Sequence, residues 1–393
     1  MKAVYGSGGS MMKKLRRIHK GFVSLLLVLV FLLFCSAGCE LIPGTGETRD
    51  RIEDEGSFSA VVWNVESLFD GEETGLEYSD YREAAGWTRE KYTARLLAIG
   101  QAIIRIKSLA EENKLPALRA EVPDFIGLVE IENSGILEDL VRGPLVNCGY
   151  THSFFGNLPG MSLGLGVLSR FPLSETRIHS ITVGRETAPR PMLEVHLEPG
   201  GKPLIFFVCH WKSKVGGDEA TESLRRASAR IIRRRLEELQ QEEPDTPVII
   251  MGDLNENHNE FLLRGGAALS ALLPDHPAAA RLAEAEAAMD DYIILSREKP
   301  PRAQFFSGPC LYTPWENELQ DGSYYYRNSW ETIDHFLLSA ELFNDRDWDF
   351  DTCQVLRFPP FTGANRFPVS YNPRSGYGLS DHLPLLLFLK TAE

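Results

Sequence analysis

The sequence predicts an α/β fold whose core is two layers of β-sheet with helices outside. Two observations carry this. Short apolar, strand-like runs intermix with segments of helical periodicity, and polar residues gather where the strand-like runs end. Such strand ends and loops are where a rigid scaffold usually holds chemistry.

Each element follows in order. Ser57–Val65 alternates and is rich in Val, Ala and Phe, which makes it a first strand ending at Asn64. Thr88–Leu109 places Leu96, Leu97, Ile99, Ile103, Ile104 and Ile106 at helical spacing. Pro123–Ile131 is a short buried strand ending in carboxylates. Gly164–Ser169, Leu193–Leu197 and Pro203–His210 are further strands. Glu222–Gln241 is a helix with Ala227, Ile231, Leu236 and Leu239 on one side. Pro247–Gly252 is a strand running into Asp253. The Ala-rich stretch 267–289 suits a surface insertion or short helices. Thr332–Leu338 and Leu385–Leu389 are the last strands. A hydrophobic content of 43% supports a large core, and no second linker or repeat divides the chain.

The N-terminus has the order of an export signal. Lys13, Lys14, Arg16, Arg17 and Lys20 precede an apolar run from Phe22 to Phe34, then Ser36-Ala37-Gly38-Cys39. As a helix that run spans roughly 20 Å, short of the roughly 30 Å hydrocarbon core, so a stable transmembrane anchor is disfavoured. The ending Ser-Ala-Gly-Cys resembles the lipobox of bacterial lipoproteins, although leucine is usual where Ser36 stands. That resemblance implies a signal over 1–38, acylation of Cys39, and a protein held at a membrane face of the bacterial envelope. An ordinary cleaved signal and a secreted protein is the alternative. Residues 39–56 are small and charged and form a tether, which leaves 57–393 as the folded domain.

The net charge is −14, and all six charged residues before Cys39 are basic, so the chain beyond the signal is near −20. Such acidity opposes non-specific binding to nucleic acid. It does not exclude a nucleic-acid substrate, because a bound cation reverses the field locally. Cys148, Cys209, Cys310 and Cys353 show no metal-like spacing, and in an exported chain they could pair or stay free.

Six motifs concentrate polar chemistry at strand ends. In Met251-Gly252-Asp253-Leu254-Asn255, Asp253 offers a hard oxygen for a cation such as Mg²⁺ and Asn255 an amide for a phosphate or water. In Ser380-Asp381-His382 a carboxylate adjoins an imidazole suited to proton transfer. Asp334, in an apolar strand, needs a partner, and His382 would be one whose ring it orients. Leu128-Val129-Glu130-Ile131-Glu132 delivers Glu130 and Glu132, which alternation places on one face, so pattern alone leaves both open. Asn64 and Glu66 share a face by the same logic. His210 ends an apolar strand, with Cys209 facing the opposite way.

The order WNVESLF, LVEIEN, GVLSRFPL, VCHWKSK, IIMGDLNE, IDHFLLS, LSDHLPL resembles the endonuclease/exonuclease/phosphatase family, over about Ala60–Leu389. The resemblance implies a four-layered α/β sandwich, two mixed β-sheets flanked by helices, with the site at one end of the sheets. It implies a Mg²⁺-dependent hydrolase (Mn²⁺ or Ca²⁺ being possible substitutes) that acts by in-line attack of water. It selects Glu130 as the main metal ligand, with Glu66 and Asp381 as further acidic ligands. Asn64 positions phosphate and metal. His210 meets the scissile phosphate or leaving group, and Asp253 with Asn255 orients water. Asp334–His382 is the general-base pair, and Arg190 binds phosphate. His335 stands where many members have tyrosine and should point away from the site.

The leading expectation is a monomeric nuclease or phosphodiesterase acting on nucleic acid outside the cytoplasm. The alternatives are a phosphatase or phospholipase C-like enzyme, and a non-catalytic surface lipoprotein. Arg225, Arg226, Arg230, Arg233, Arg234 and Arg235 suggest a solvated outer helix rather than a nucleic-acid contact. Tyr324-Tyr325-Tyr326-Arg327 could stack bases or face a membrane, or could equally be a strand or a packed loop.

Overall fold

The computed structural model describes residues 56–116, 118, 120–184, 186, 187, 190–286 and 290–392. The expected signal, Cys39 and nearly all of the expected tether lie outside the described residues. In chain order the first strands are β1 (Ser57–Leu68), β2 (Phe125–Ile131), β3 (His152–Gly156), β4 (Gly164–Ser169), β5 (Leu173–His179), β6 (Thr182–Val183) and β7 (Glu186–Thr187). Next come β8 (Met192–Leu197), β9 (Leu204–His210), β10 (Val248–Asp253), β11 (Leu272–Pro274), β12 (Ile293–Ser296) and β13 (Cys310–Tyr312). The last are β14 (Tyr324–Tyr326), β15 (Ser329–Glu331), β16 (Asp334–Leu338), β17 (Trp348–Val355) and β18 (Leu385–Thr391). The helices are α1 (Arg89–Glu112), α2 (Ser134–Arg142), α3 (Asp218–Glu242), α4 (Glu260–Leu263) and α5 (Pro277–Ala285). No helix among the described residues is long and apolar enough to cross a membrane.

Two mixed sheets dominate, in the orders β17-β18-β1-β2-β4-β3 and β11-β12-β13-β16-β10-β9-β8-β5. They pack face to face. Phe125 of the first stacks on Phe206 of the second with ring centroids 4.3 Å apart. A Cβ on Gly127 would meet Met251 and Val208 across the gap. Burying each such apolar side chain contributes roughly 1.5–3 kcal/mol, so this interface is the main source of cohesion. Ala229, Ile232, Leu236 and Leu239 of α3 cover the outer face of the second sheet. On the first sheet, Leu137 of α2 packs beside Gly166 of β4.

Alternation fails at one place on each of two neighbouring strands. The β1–β2 register runs Asn64↔Val129 and then Leu68↔Ile131, so β1 carries extra residues there. Glu66, Ser67 and Glu130 adopt φ of 54°, 57° and 68°. These are left-handed values that cost of order 1–3 kcal/mol each for residues with a side chain. Arg95 of α1, 2% exposed, holds the bulge. It donates to the carbonyls of Val65, Glu66 and Ser67 and lies 3.7 Å from the Tyr371 ring centroid.

Three sequence expectations need correction. The Ala-rich stretch is not only helical. It also contributes β11 to the large sheet and packs Leu273, Ala279 and Ala283 with Phe261, Tyr292 and Ile294. The basic helix is not simply a solvated face, because Arg225, Arg233 and Arg235 are buried. Arg225 donates to Asp218, Glu222 and Glu256, and Arg235 donates to Glu194, Glu238 and Glu242. The strand expected over Thr332–Leu338 begins too early, for pairing starts at Asp334. Cys148, Cys209, Cys310 and Cys353 are all free thiols.

The bulge also separates the two glutamates that alternation left together. Glu132 turns away and accepts from the Asp70 amide at 2.8 Å. Burial pushes its carboxyl up to about 8, with the Asp70 and Glu77 carboxylates adding to the shift against the Asp70 N–H. The folded state therefore holds a proton that the unfolded chain releases near 4.5. The stability this gives is present below 4.5 and is lost as pH rises through about 8. Glu132→Gln should flatten the fall in Tm between pH 5 and 8. Parallel Tm-against-pH curves for wild type and variant would refute the assignment.

Candidate active site

The motif residues converge at one end of the sheet pair. Asn64 and Glu66 come from the end of β1 and Glu130 from the end of β2. His210 and Asp253 end β9 and β10, and Asp334 begins β16. Asn255 follows β10, and Asp381 and His382 precede β18. Gly252 lets β10 reach this point: its φ is +143°, and a Cβ there would strike the Cys209 carbonyl at 2.0 Å.

His382 Nδ1 lies 2.8 Å from Asp334 Oδ2. The same carboxylate oxygen accepts from Ser323 Oγ at 2.5 Å. His382 Nε2 then faces Asp253 and Asp381, each 3.9 Å away. Tyr324 stacks on the imidazole, 4.5 Å between centroids and 30° between planes. Burial alone would lower the His382 pKa. The charges of Asp334, Asp381 and Asp253 outweigh it and hold the ring well above its ordinary value.

Opposite this pair, Asn64 Nδ2 donates to Asp253 Oδ2 at 3.1 Å and reaches Glu130 Oε1 at 3.4 Å. His210 Nε2 is 3.5 Å from both Glu130 Oε1 and Asp253 Oδ2. Arg190 Nη2 is 4.0 Å from Glu130 Oε1, and its Nη1 donates to the Trp211 carbonyl. Asn255, at φ 51°, caps Asp253 through its amide at 2.9 Å and also binds the Trp211 carbonyl. Burial pushes the Asp253 carboxyl up to about 7, Asp334 adding to it and His382 opposing. Asp381 is pushed to about 7 by burial, with Glu66 and Glu130 adding and His382 opposing. His210 is held well below its ordinary value by burial and by Arg190, His382 and Lys212, so it stays neutral.

Glu66 is used differently from its strand neighbour. Its carboxylate accepts from Ser370 Oγ and from the Tyr371 and Asp381 amides, which ties the 370–381 loop to β1. His335 points away from the site, where its Nε2 lies 2.8 Å from the Glu256 carbonyl. Sequence reasoning passed over Ser323 and Arg95 entirely. Neither stands in a motif, and only the fold brings them to Asp334 and to the bulge.

The donor set suits a hard divalent cation. Glu130, Asp253 and Asp381 offer carboxylate oxygens, those of Glu66 already accept from the 370–381 loop, and Asp253 and Asp381 are raised chiefly by burial, with neighbouring carboxylates adding to it. Asp253, Asp334 and His382 also bring ligand atoms within 4.8 Å of one another. An ion there would displace the short Asp334–His382 hydrogen bond, so the Glu130 side is the better seat.

The sequence profile of the Endonuclease/Exonuclease/phosphatase family matches residues 59–278. The chain belongs to the endonuclease/exonuclease/phosphatase family. As a member it is a phosphoester-hydrolysing enzyme, and enzymes of this family typically depend on a divalent metal. The profile stops before Asp334, Asp381 and His382, which only the fold joins to the rest. No curated protein sequence matches the chain. Among solved structures, ANGEL2, described as a 2′,3′-cyclic phosphatase, superposes with a TM-score of 0.53 at 13% identity, covering 86% of this chain and 97% of that one. TDP2 of D. rerio complexed with single strand DNA product gives a TM-score of 0.47 at 16% identity, covering 85% and 99%. A mannosyl-6-phosphatase of Bacteroides thetaiotaomicron gives 0.43 at 15%, covering 84% and 99%. At these identities the first of them speaks for the shared fold alone.

Proposed function

We propose that this member is a Mg²⁺-dependent phosphodiesterase of the nuclease kind, working outside the cytoplasm and tethered through acylated Cys39. The observation that carries the hydrolytic reading is the Asp334–His382 pair, 2.8 Å apart, with Nε2 turned toward Asp253 and Asp381. Asp334 fixes the tautomer with the proton on Nδ1, and a cation beside Asp381 and Asp253 would offset the carboxylates that otherwise keep the ring protonated, which would leave Nε2 to take a proton from water. Asp253 and Asn255 orient that water. Asn64, His210 and Arg190 contact the phosphate, where their donors meet charge that grows as the bond to the leaving group lengthens. Glu130 with Asp381 and Glu66 would hold the metal, which as a Lewis acid draws charge from a phosphate oxygen. No side chain is needed as a covalent nucleophile, in keeping with chemistry dominated by positioning.

The test is hydrolysis by residues 40–393 of plasmid DNA, a sphingomyelin and bis-p-nitrophenyl phosphate, with Mg²⁺ and with EDTA. DNA cleavage that disappears in EDTA is expected. Turnover of the lipid alone would replace the nuclease reading with a phospholipase one. No turnover of any substrate by the folded protein would reject catalysis on these classes. For the tether, palmitate labelling of the full chain should vanish in Cys39→Ser, and labelling that persists would refute acylation at that residue.

A further inference from the structure

The hairpin β14–β15 is not absorbed by the catalytic reading. Its turn is two residues, Arg327 and Asn328, both at positive φ (48° and 66°), with Tyr326 paired to Ser329. That is the primed turn that suits the right-handed twist of paired strands. Alternation then splits the three tyrosines between two faces.

Tyr325 faces away from the catalytic end. Its ring stacks on Phe367 at 4.1 Å and packs on Trp330 at 5.1 Å, and Arg357 covers Trp330 at 4.0 Å. The hairpin is thus pinned by aromatic packing on one side. On the other side, Tyr324 pairs with His382 through the backbone and stacks on its ring at 4.5 Å. Tyr326 continues this surface, 6.1 Å from Tyr324 and within 20° of its plane, and is 46% exposed. Arg327 lies 5.1 Å over the Tyr326 ring at the outer end.

The result is a shelf of nearly parallel rings that starts at the catalytic imidazole and runs out to solvent. A base would take the place of the Arg327 guanidinium on the Tyr326 ring, and a hairpin held in advance by packing lowers the entropic cost of that exchange. A choline cation can also lie on an aromatic face, but the Arg327 guanidinium at the outer end of this one repels it and favours an anionic chain. Aromatic faces flanked by arginine are the chemistry of sequence-tolerant contact with single-stranded nucleic acid.

We infer that the Tyr324–Tyr326 face of this hairpin is the subsite for a nucleobase adjoining the scissile phosphate, with Tyr326 as its exposed stacking residue. The inference rests on the phosphodiesterase reading and narrows its substrate to a single-stranded or frayed nucleic-acid chain. Arg327, at the end of the shelf, meets the phosphate beyond that base.

The test compares a short thymidine oligonucleotide with the same oligomer carrying a tetrahydrofuran spacer in place of the nucleoside next to the scissile phosphate. The quantity read is the ratio of kcat/KM between the two. Wild type should prefer the base-bearing substrate, Tyr326→Ala should cut that ratio about tenfold, and Tyr326→Phe should restore it. Because Tyr326 is exposed, these variants leave the core untouched. Equal cleavage of both oligomers by wild type, or a ratio unmoved by Tyr326→Ala, would overturn the subsite while leaving the nuclease reading intact. Failure of wild type to cleave either oligomer, with bis-p-nitrophenyl phosphate still hydrolysed, would overturn both.

Discussion

His382→Gln should lower kcat on a phosphodiester by about 10²–10⁴-fold, the usual contribution of a positioned general base. Glutamine is the informative variant because alanine changes two things at once. Asp334 is 2% exposed, and removing the imidazole outright would leave its carboxylate, among the described residues, with Ser323 as its remaining side-chain donor. An uncompensated buried charge destabilises the fold, and lost activity could then be lost protein. The glutamine amide can still donate to Asp334 but cannot take a proton from water. Circular dichroism should therefore be unchanged while kcat falls, with KM moving little because His382 acts on the water. Asp334→Asn should give a loss of similar kind, since an amide there no longer fixes the proton on Nδ1. Because the two residues act as one unit, the double variant should be scarcely slower than the worse single one. A His382→Gln enzyme within tenfold of wild-type kcat would remove His382 from the role of base.

Much of this site was legible because apolar strands ending in polar residues leave a plain signal. The strands predicted as Pro247–Gly252 and Pro203–His210 are observed as Val248–Asp253 and Leu204–His210, so Asp253 and His210 stand at the strand ends as expected. Glu130 and Glu132 were not separable, because period-two reasoning assumes an unbroken pleat and the bulge breaks it at that residue. Two short strands escaped a firm reading for a different reason. Cys310–Tyr312, for which the sequence predicts no strand, and Tyr324–Tyr326, which it leaves open between a strand and a packed loop, are three residues each, too short for any period to show. Ser323 and Arg95 gain their roles from contacts 11 and about 30 residues away in sequence, which no local pattern encodes. The arginines of α3 misled most. A dense run of positive charge suggests solvent, yet burial on this helix follows its face, and Arg225, Ser228, Ile232 and Leu236 lie along one buried stripe.

That stripe supplies the largest stability effect expected outside the site. Arg225 is fully buried, and Arg225→Met should cost about 3–5 kcal/mol in urea denaturation, the range for breaking a buried ion pair from one side. The reason lies in what remains. Arg225 Nε donates to Glu256 at 2.9 Å, and Nη2 donates to Glu222 at 2.7 Å and Asp218 at 2.8 Å. Glu256 is itself fully buried, so without the guanidinium its charge has no nearby match. Arg264 also donates to Asp218 and Glu222 and offsets part of the loss at those two, but not at Glu256. Converting Glu256 to Gln as well should recover much of the lost stability, because it removes the stranded charge rather than restoring the pair. The network also reaches the chemistry. Arg225 Nη1 donates to the Lys212 carbonyl two residues beyond His210, and Glu256 directly follows Asn255. Arg225→Met should therefore lower kcat even under conditions where the protein stays folded. The Arg225→Met/Glu256→Gln pair should regain stability more fully than activity, since the tie to Lys212 is still missing. A Met variant as stable as wild type would show that the guanidinium does not neutralise Glu256.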